Sequence, residues 1–164
     1  MKAENKSIQV VIETPKGSVE KYAYKKKTGF FQLKKILPTG MVFPYDFGFI
    51  PHTKGQDGDP LDIIVISEFH SFPGIMIECR LVGGFKARQG KTKSKLVKND
   101  RFIAIPLASA IFKDLTDWKN IPETIIKALE DFFINYNKEE GKIFKTTGYL
   151  SAAKAFKKIK RQTL

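Results

Sequence analysis

The chain has 164 residues, 42% hydrophobic and 28% charged, which suffices for one domain spanning residues 1–164 with its own apolar core. Its single cysteine, Cys79, excludes an internal disulfide and fits a cytoplasmic compartment; no apolar run reaches bilayer-spanning length, and residues 1–6 lack the apolar centre of a secretion signal. The net charge of +12 implies attraction to polyanions, whether phosphate esters, nucleic acid or an acidic membrane surface.

Residues 7–13 read as a strand with Ile8, Val10 and Ile12 on one face and Glu13 on the other. Residues 14–18 (TPKGS) form a turn, residues 19–25 a second strand, and residues 26–29 a hairpin turn that leads into a returning strand at 30–33. The chain breaks again at residues 37–40. Residues 43–51, aromatic and bounded by prolines, read as an ordered core loop rather than a regular strand. Residues 61–66 and 76–85 carry the strongest strand patterns, and 102–106 is another. Cys79 reads as a small core residue. After Pro106 the period changes. Ile125, Ile126, Leu129, Phe132, Phe133 and Tyr136 recur at helical spacing, with Pro122 and Glu123 suited to the first turn. Ser151 is placed to cap a last helix carrying Ala152, Ala155, Phe156 and Ile159. Strands first and helices later argue for a mainly β, α+β fold built on a barrel or sandwich. Trp118 and the phenylalanines read as core. His52 and His70 have no ligand partner at useful spacing and read as surface or packing residues.

The candidate chemistry lies in residues 56–66 (QDGDPLDIIVI). Asp57, Asp59 and Asp62 stand at the mouth of an apolar strand, where three carboxylates repel one another and are costly to desolvate together. A straight strand would put Asp62 on the face opposite Asp57 and Asp59, so convergence needs a bend, and Gly58 and Pro60 permit one. Carboxylates without nearby cysteine or histidine suit a hard cation, Mg²⁺ above all. The plain alternative is an Asp-rich turn with solvated side chains.

The run Asp-Gly-Asp-Pro-Leu-Asp at 57–62 resembles the signature of the soluble family I inorganic pyrophosphatases. Residues 11–18 (VIETPKGS), 40–51 (GMVFPYDFGFIP), 72–74 (FPG), 81–83 (LVG) and 121–142 resemble that family's other segments, in the same order. The resemblance implies an OB-like five-stranded β-barrel with C-terminal helices packed on it. It also implies Mg²⁺-dependent hydrolysis of inorganic pyrophosphate to two phosphates, and a homo-oligomer, with a hexamer possible for bacterial relatives. By the same resemblance Asp57 and Asp62 are metal ligands, Asp59 is the general base, and Glu13 supports the metals. Lys21 and Tyr136 match substrate-binding residues. The family's acid two places after Lys21 is Ala23 here, and its substrate-binding arginine is Lys35. Two active-site tyrosines are Phe43 and Phe47. The lysine beside Tyr136 is Asn137, for which Lys138 or Lys142 compensates.

The largest departure is residues 86–101 (KARQGKTKSKLVKNDR), where the family carries two acidic metal ligands and a phosphate-binding lysine. Arg101 takes the lysine's place. Asn99 takes that of one acid, with Asp100 a substitute after a one-residue shift, and Gln89 or Gly90 that of the other. Lys91, Lys93 and Lys95 share one face if this arm is extended. The arm is either a solvated basic hairpin or a set of cations replacing part of a metal cluster, and the second reading implies fewer bound metals and weakened catalysis. Two other functions stand beside the enzyme: a non-catalytic phosphate or polyphosphate binder on the same scaffold, and a nucleic-acid-binding barrel. The aromatics sit in apolar runs rather than among the lysines, which disfavours nucleic acid.

Overall fold

A computed structural model describes residues 7–164. Five strands close a barrel. β1 (Ser7–Thr14) pairs with β4 (Asp46–Ile50), β4 with β5 (Leu61–Val65), β5 with β8 (Arg101–Pro106), β8 with β6 (Met76–Gly90), and β6 returns to β1. Only β5 and β8 run parallel among these pairs. β2 (Glu20–Lys25) and β3 (Phe30–Ile36) form a separate hairpin, and β7 (Val97–Lys98) and β9 (Ile143–Ser151) extend the sheet on the outer half of β6. Two helices follow the barrel, α1 (Glu123–Glu139) and α2 (Ala152–Arg161). This is the OB-like five-stranded barrel with packed helices that the resemblance implies.

The alternation of β5 explains the two cores. Leu61, Ile63 and Val65 point inward with Val10, Ile12, Ile50, Cys79, Leu81, Phe102 and Ala104, and Ala155 and Ile159 of α2 close that cluster. Ile64 and Ile66 point outward with Val82, Phe85, Ile103 and Ile105, beneath Ile126, Leu129 and Phe133 of α1. β5 and β8 are thus buried on both faces, which accounts for their near-continuous apolar runs. Cys79 is fully buried, and burial pushes its thiol up to about 12, consistent with a packing role. Ser151 caps α2 by accepting the Lys154 N–H, as expected. Trp118 lies partly buried against this outer core, its ring stacked on Tyr149.

Three local expectations change. Residues 46–50 are a barrel strand, not a loop: the prolines and Gly48 that weaken the strand pattern leave it intact, because β1 and β5 flank it on both edges. β6 runs on to Gly90, and β9, whose alternation is interrupted by the bulge at Thr147 and by Gly148, pairs with it. Residues 91–96 form a loop instead of an extended arm, so Lys91, Lys93 and Lys95 do not form a strand face.

Candidate active site

The same alternation selects which side chains meet outside the barrel. In β5 Asp62 shares the outward face with Ile64, and in β8 Arg101 shares it with Ile103. The parallel register sets Ile64 beside Ile103 and Ile63 beside Phe102. One step earlier along both strands brings Asp62 to Arg101. Arg101 Nη1 lies 2.8 Å from Asp62 Oδ2. The guanidinium is buried, and it also donates to the side-chain oxygen of Asn99, to Asn99 O at 3.1 Å and to Gln89 Oε1 at 3.3 Å. Its plane stands over the rings of Phe133 and Phe144, at 5.1 and 5.7 Å. Gln89 reaches it because residues 85, 87 and 89 of β6 face α1.

Asp57 and Asp59 belong to the loop before β5. Gly58 has φ +90, a conformation that favours glycine, and the Asp59 N–H donates to Asp57 Oδ1 at 3.1 Å. The expected bend is present. These carboxylates, with Glu13 from β1, line a cleft of about 1070 Å³ bounded by the β2–β3 hairpin, the barrel wall and the C-terminal end of α1. Lys21, Arg101, Tyr136 and Lys142 line the same cleft, as do Gln89, Asn99, Asn137, Phe43 and Phe47. His52 lies exposed on its lining, and His70 does not reach it.

Two of the anticipated residues lie elsewhere. Asp100 turns away from the cleft: its oxygens accept from the Ala87 N–H at 3.2 Å and from Lys158 of α2. A one-residue shift therefore does not bring Asp100 to the cleft, since neighbours in an extended segment point to opposite sides. Lys35 stands beside the cleft, 2.7 Å from Glu140 and 4.0 Å above the centre of the Tyr136 ring. Lys142 flanks the same carboxylate at 3.5 Å. Glu140 escaped the sequence reading because Lys35, its partner, is distant in the chain and no local pattern links them.

The electrostatics follow from burial beside mixed charges. Burial raises the Asp62 carboxyl above the usual range; Arg101 and Lys21 pull it back, while Asp57 and Asp59 push it further up. Burial also raises Glu13, which is partly offset by the Tyr24 N–H donated to it at 2.7 Å. Lys21 is pushed down to about 8, by burial first and then by Lys34, against Asp62, Glu140 and Glu13. The Tyr136 hydroxyl is raised by burial and by Glu140. Burial works to raise Glu140, but Lys35 and then Lys142 and Lys21 outweigh it and hold it below the usual range.

Among the described residues, no group of three acidic, histidine or cysteine side chains is placed to hold a metal ion, so the bend does not bring Asp57, Asp59 and Asp62 together into one ligand set. The donors that line the cleft are nonetheless carboxylates, and Asp62 keeps 28% of its side chain open. Magnesium is commonly held by one or two carboxylates, waters and substrate phosphates, without a cage of protein ligands. The donor set fits such an ion.

A sequence model of the inorganic pyrophosphatase family matches residues 10–163. An inorganic pyrophosphatase of Saccharolobus solfataricus is 36% identical over 157 residues, covering 94% of this chain and 88% of that protein. One from Leifsonia xyli is 38% identical over 149 residues, covering 90% and 88%. The crystal structure of inorganic pyrophosphatase from Thermus thermophilus superposes with a TM-score of 0.87 at 30% identity, covering 99% of this chain and 91% of that one.

Proposed function

The chain belongs to the inorganic pyrophosphatase family, and from that premise we propose that its cleft hydrolyses inorganic pyrophosphate to two phosphates with Mg²⁺ as the working ion. The observation that carries the site assignment is that Glu13, Asp57, Asp59 and Asp62 line one cleft with Lys21, Arg101, Tyr136 and Lys142. A bound divalent cation supplies neutralisation of the phosphate charge and a water of lowered pKa.

In our reading Asp57 and Asp62 hold the ions, with Glu13 in support. Asp59, exposed on the loop, takes the proton from the water that attacks one phosphorus. The bridging P–O bond then breaks, and its oxygen leaves with the second phosphate. Lys21 and Lys142 hold phosphate oxygens by charge, and Tyr136 donates its hydroxyl. Lys35, already engaged by Glu140, acts mainly by steadying that carboxylate and the Tyr136 ring.

Arg101 modifies this scheme. Its contact with Asp62 gives the cleft a permanent cation, and the amides of Asn99 and Gln89 hold that cation in place. Lys91, Lys93 and Lys95 do not line the cleft, so the substitution for metal rests on Arg101 rather than on the arm. The reading is fewer bound ions and slower turnover than a site with acids at positions 89 and 99. A binder without turnover is the second reading, favoured by the same neutralised Asp62. The fully buried Cys79 suits a cytoplasmic setting, and Phe30, Leu33, Ile36 and Phe72, all strongly exposed, support a homo-oligomer.

Phosphate release from pyrophosphate, titrated with Mg²⁺, tests the assignment. Metal-dependent release that Asp59→Asn abolishes supports it. Binding of pyrophosphate with no release at any Mg²⁺ concentration selects the binder.

A further inference from the structure

We propose that the sheet face formed by β7, the outer half of β6 and β9 is a second anion site, outside the cleft, that docks a chain of inorganic polyphosphate. The register places Lys98 of β7 opposite Arg88 of β6, and Arg88 opposite Lys145 of β9. Three cations thus stand in a row across three adjacent strands, at the strand spacing of about 4.8 Å. Lys86 projects from the same face two residues along β6, since Ala87 between them is buried on the α1 side. All four side chains are exposed.

Like charges directly opposite one another destabilise a sheet. The fold offers no local relief here. Among the described residues none of the four is ion-paired with a carboxylate, and the neighbouring acid, Asp100, is taken by Lys158. None of the four lines the cleft, so the proposed reaction does not account for them. The loop at residues 91–96 continues the strip with exposed Lys91, Lys93 and Lys95. A row of unpaired cations complements a row of anions, and a polyphosphate chain presents one on every unit.

The aromatic groups separate polyphosphate from nucleic acid. Single-stranded nucleic acid is gripped by stacking as well as charge. On β9 the pairing jumps from Gly148 to Thr146, leaving Thr147 unpaired, and this bulge turns Tyr149 to the opposite face. There it stacks on Trp118 at 4.7 Å and bonds Glu130 of α1. Phe85 and Phe144 lie on that opposite side too, so among the described residues these three strands offer the basic face charge but no aromatic ring of their own.

The test is binding of labelled long-chain inorganic polyphosphate to the full chain by fluorescence anisotropy, in EDTA so that the probe is not hydrolysed. A mixed-base single-stranded oligonucleotide of matched charge runs in parallel. The wild type is expected to bind polyphosphate with an affinity that falls steeply with salt. Arg88→Glu with Lys145→Glu is expected to lower that affinity at least tenfold, leaving the melting temperature and pyrophosphate turnover unchanged. Lys86→Gln with Lys98→Gln is a second variant that only neutralises charge, and it is expected to weaken binding in the same direction. No binding, equal binding by the variants, or tighter binding of the oligonucleotide overturns the proposal. Loss of pyrophosphate turnover in the wild type bears only on the cleft.

Discussion

Arg101 Nη1 lies 2.8 Å from Asp62 Oδ2, so the most buried carboxylate of the 57–62 acids carries a countercharge supplied by the chain itself. With Asp62 still 28% open the pair is only partly buried, so breaking it one-sidedly should cost roughly 1–3 kcal/mol, less than a fully buried pair, because a charged hydrogen bond is lost while water still reaches the carboxylate. Arg101→Met should therefore lower the melting temperature in EDTA. Mg²⁺ should then raise it by more than it raises the wild type, because an ion that binds only the folded state stabilises it by mass action. Thermal denaturation with and without Mg²⁺ checks this. An equal Mg²⁺ shift in both proteins would mean that Arg101 does not stand in for a cation.

Asp59 sits on an exposed turn, and its carboxylate anchors no other part of the fold: only its backbone N–H and carbonyl bond within the loop. Asp59→Asn should leave stability within about 0.5 kcal/mol of wild type. Removing a general base should lower kcat by roughly 10²–10⁴. Phosphate-release kinetics beside a thermal melt distinguish a lost proton acceptor from a lost fold.

Lys21 gives the cleft a pH dependence on its alkaline side. Its amine is pushed from the ordinary 10.5 down to about 8 by burial and by Lys34. In the free enzyme the charge that holds a phosphate oxygen is lost as pH rises through about 8, so kcat/KM should bend downward there. Stability has the opposite sign. The unfolded chain binds more protons between about 8 and 10.5, so this group's penalty on folding is full below 8 and relieved across that window. Lys21→Arg keeps its charge and should remove the bend in kcat/KM, measured from pH 7 to 10.

The acid motif was legible because its parts are local: three aspartates, a glycine and a proline within six residues state both the bend and the charge. Both helices were legible from their period, and α2 also from its cap at Ser151. β4 was hidden because Gly48 and two flanking prolines read as loop chemistry, while the contacts that hold it lie on β1 and β5. The cage around Arg101 was only half legible. The sequence identifies Arg101 and Asn99 as substitutions and leaves Gln89 or Gly90 as the third, yet that Arg101, Asn99 and Gln89 hold one another and Asp62 follows from register between distant strands. Asp100 shows the converse: it is adjacent in sequence to the cleft residues and points the other way.

Gly48 offers a test of the barrel itself. It pairs with Ile12 where β4 meets β1, and a Cβ added there would lie 2.1 Å from Val11 O and 2.9 Å from Val11 C. Both are backbone atoms and cannot rotate away, so Gly48→Ala must push β1 off β4 and open one of the five seams. The cost should be about 3 kcal/mol, the upper end of the roughly 1–3 kcal/mol typical of overpacking a packed interior, because both obstructing atoms are backbone. For a chain of this size that corresponds to a fall of about 5–15 °C in melting temperature. Gly58→Ala is the contrast. At φ +90 it meets strain, yet nothing lies within 4 Å of the added carbon. Its cost should stay at roughly 1–2 kcal/mol, that of a left-handed conformation alone. Parallel melts of the two variants separate a steric requirement from a conformational one, and a Gly48→Ala protein as stable as Gly58→Ala would refute the close approach of β1 and β4.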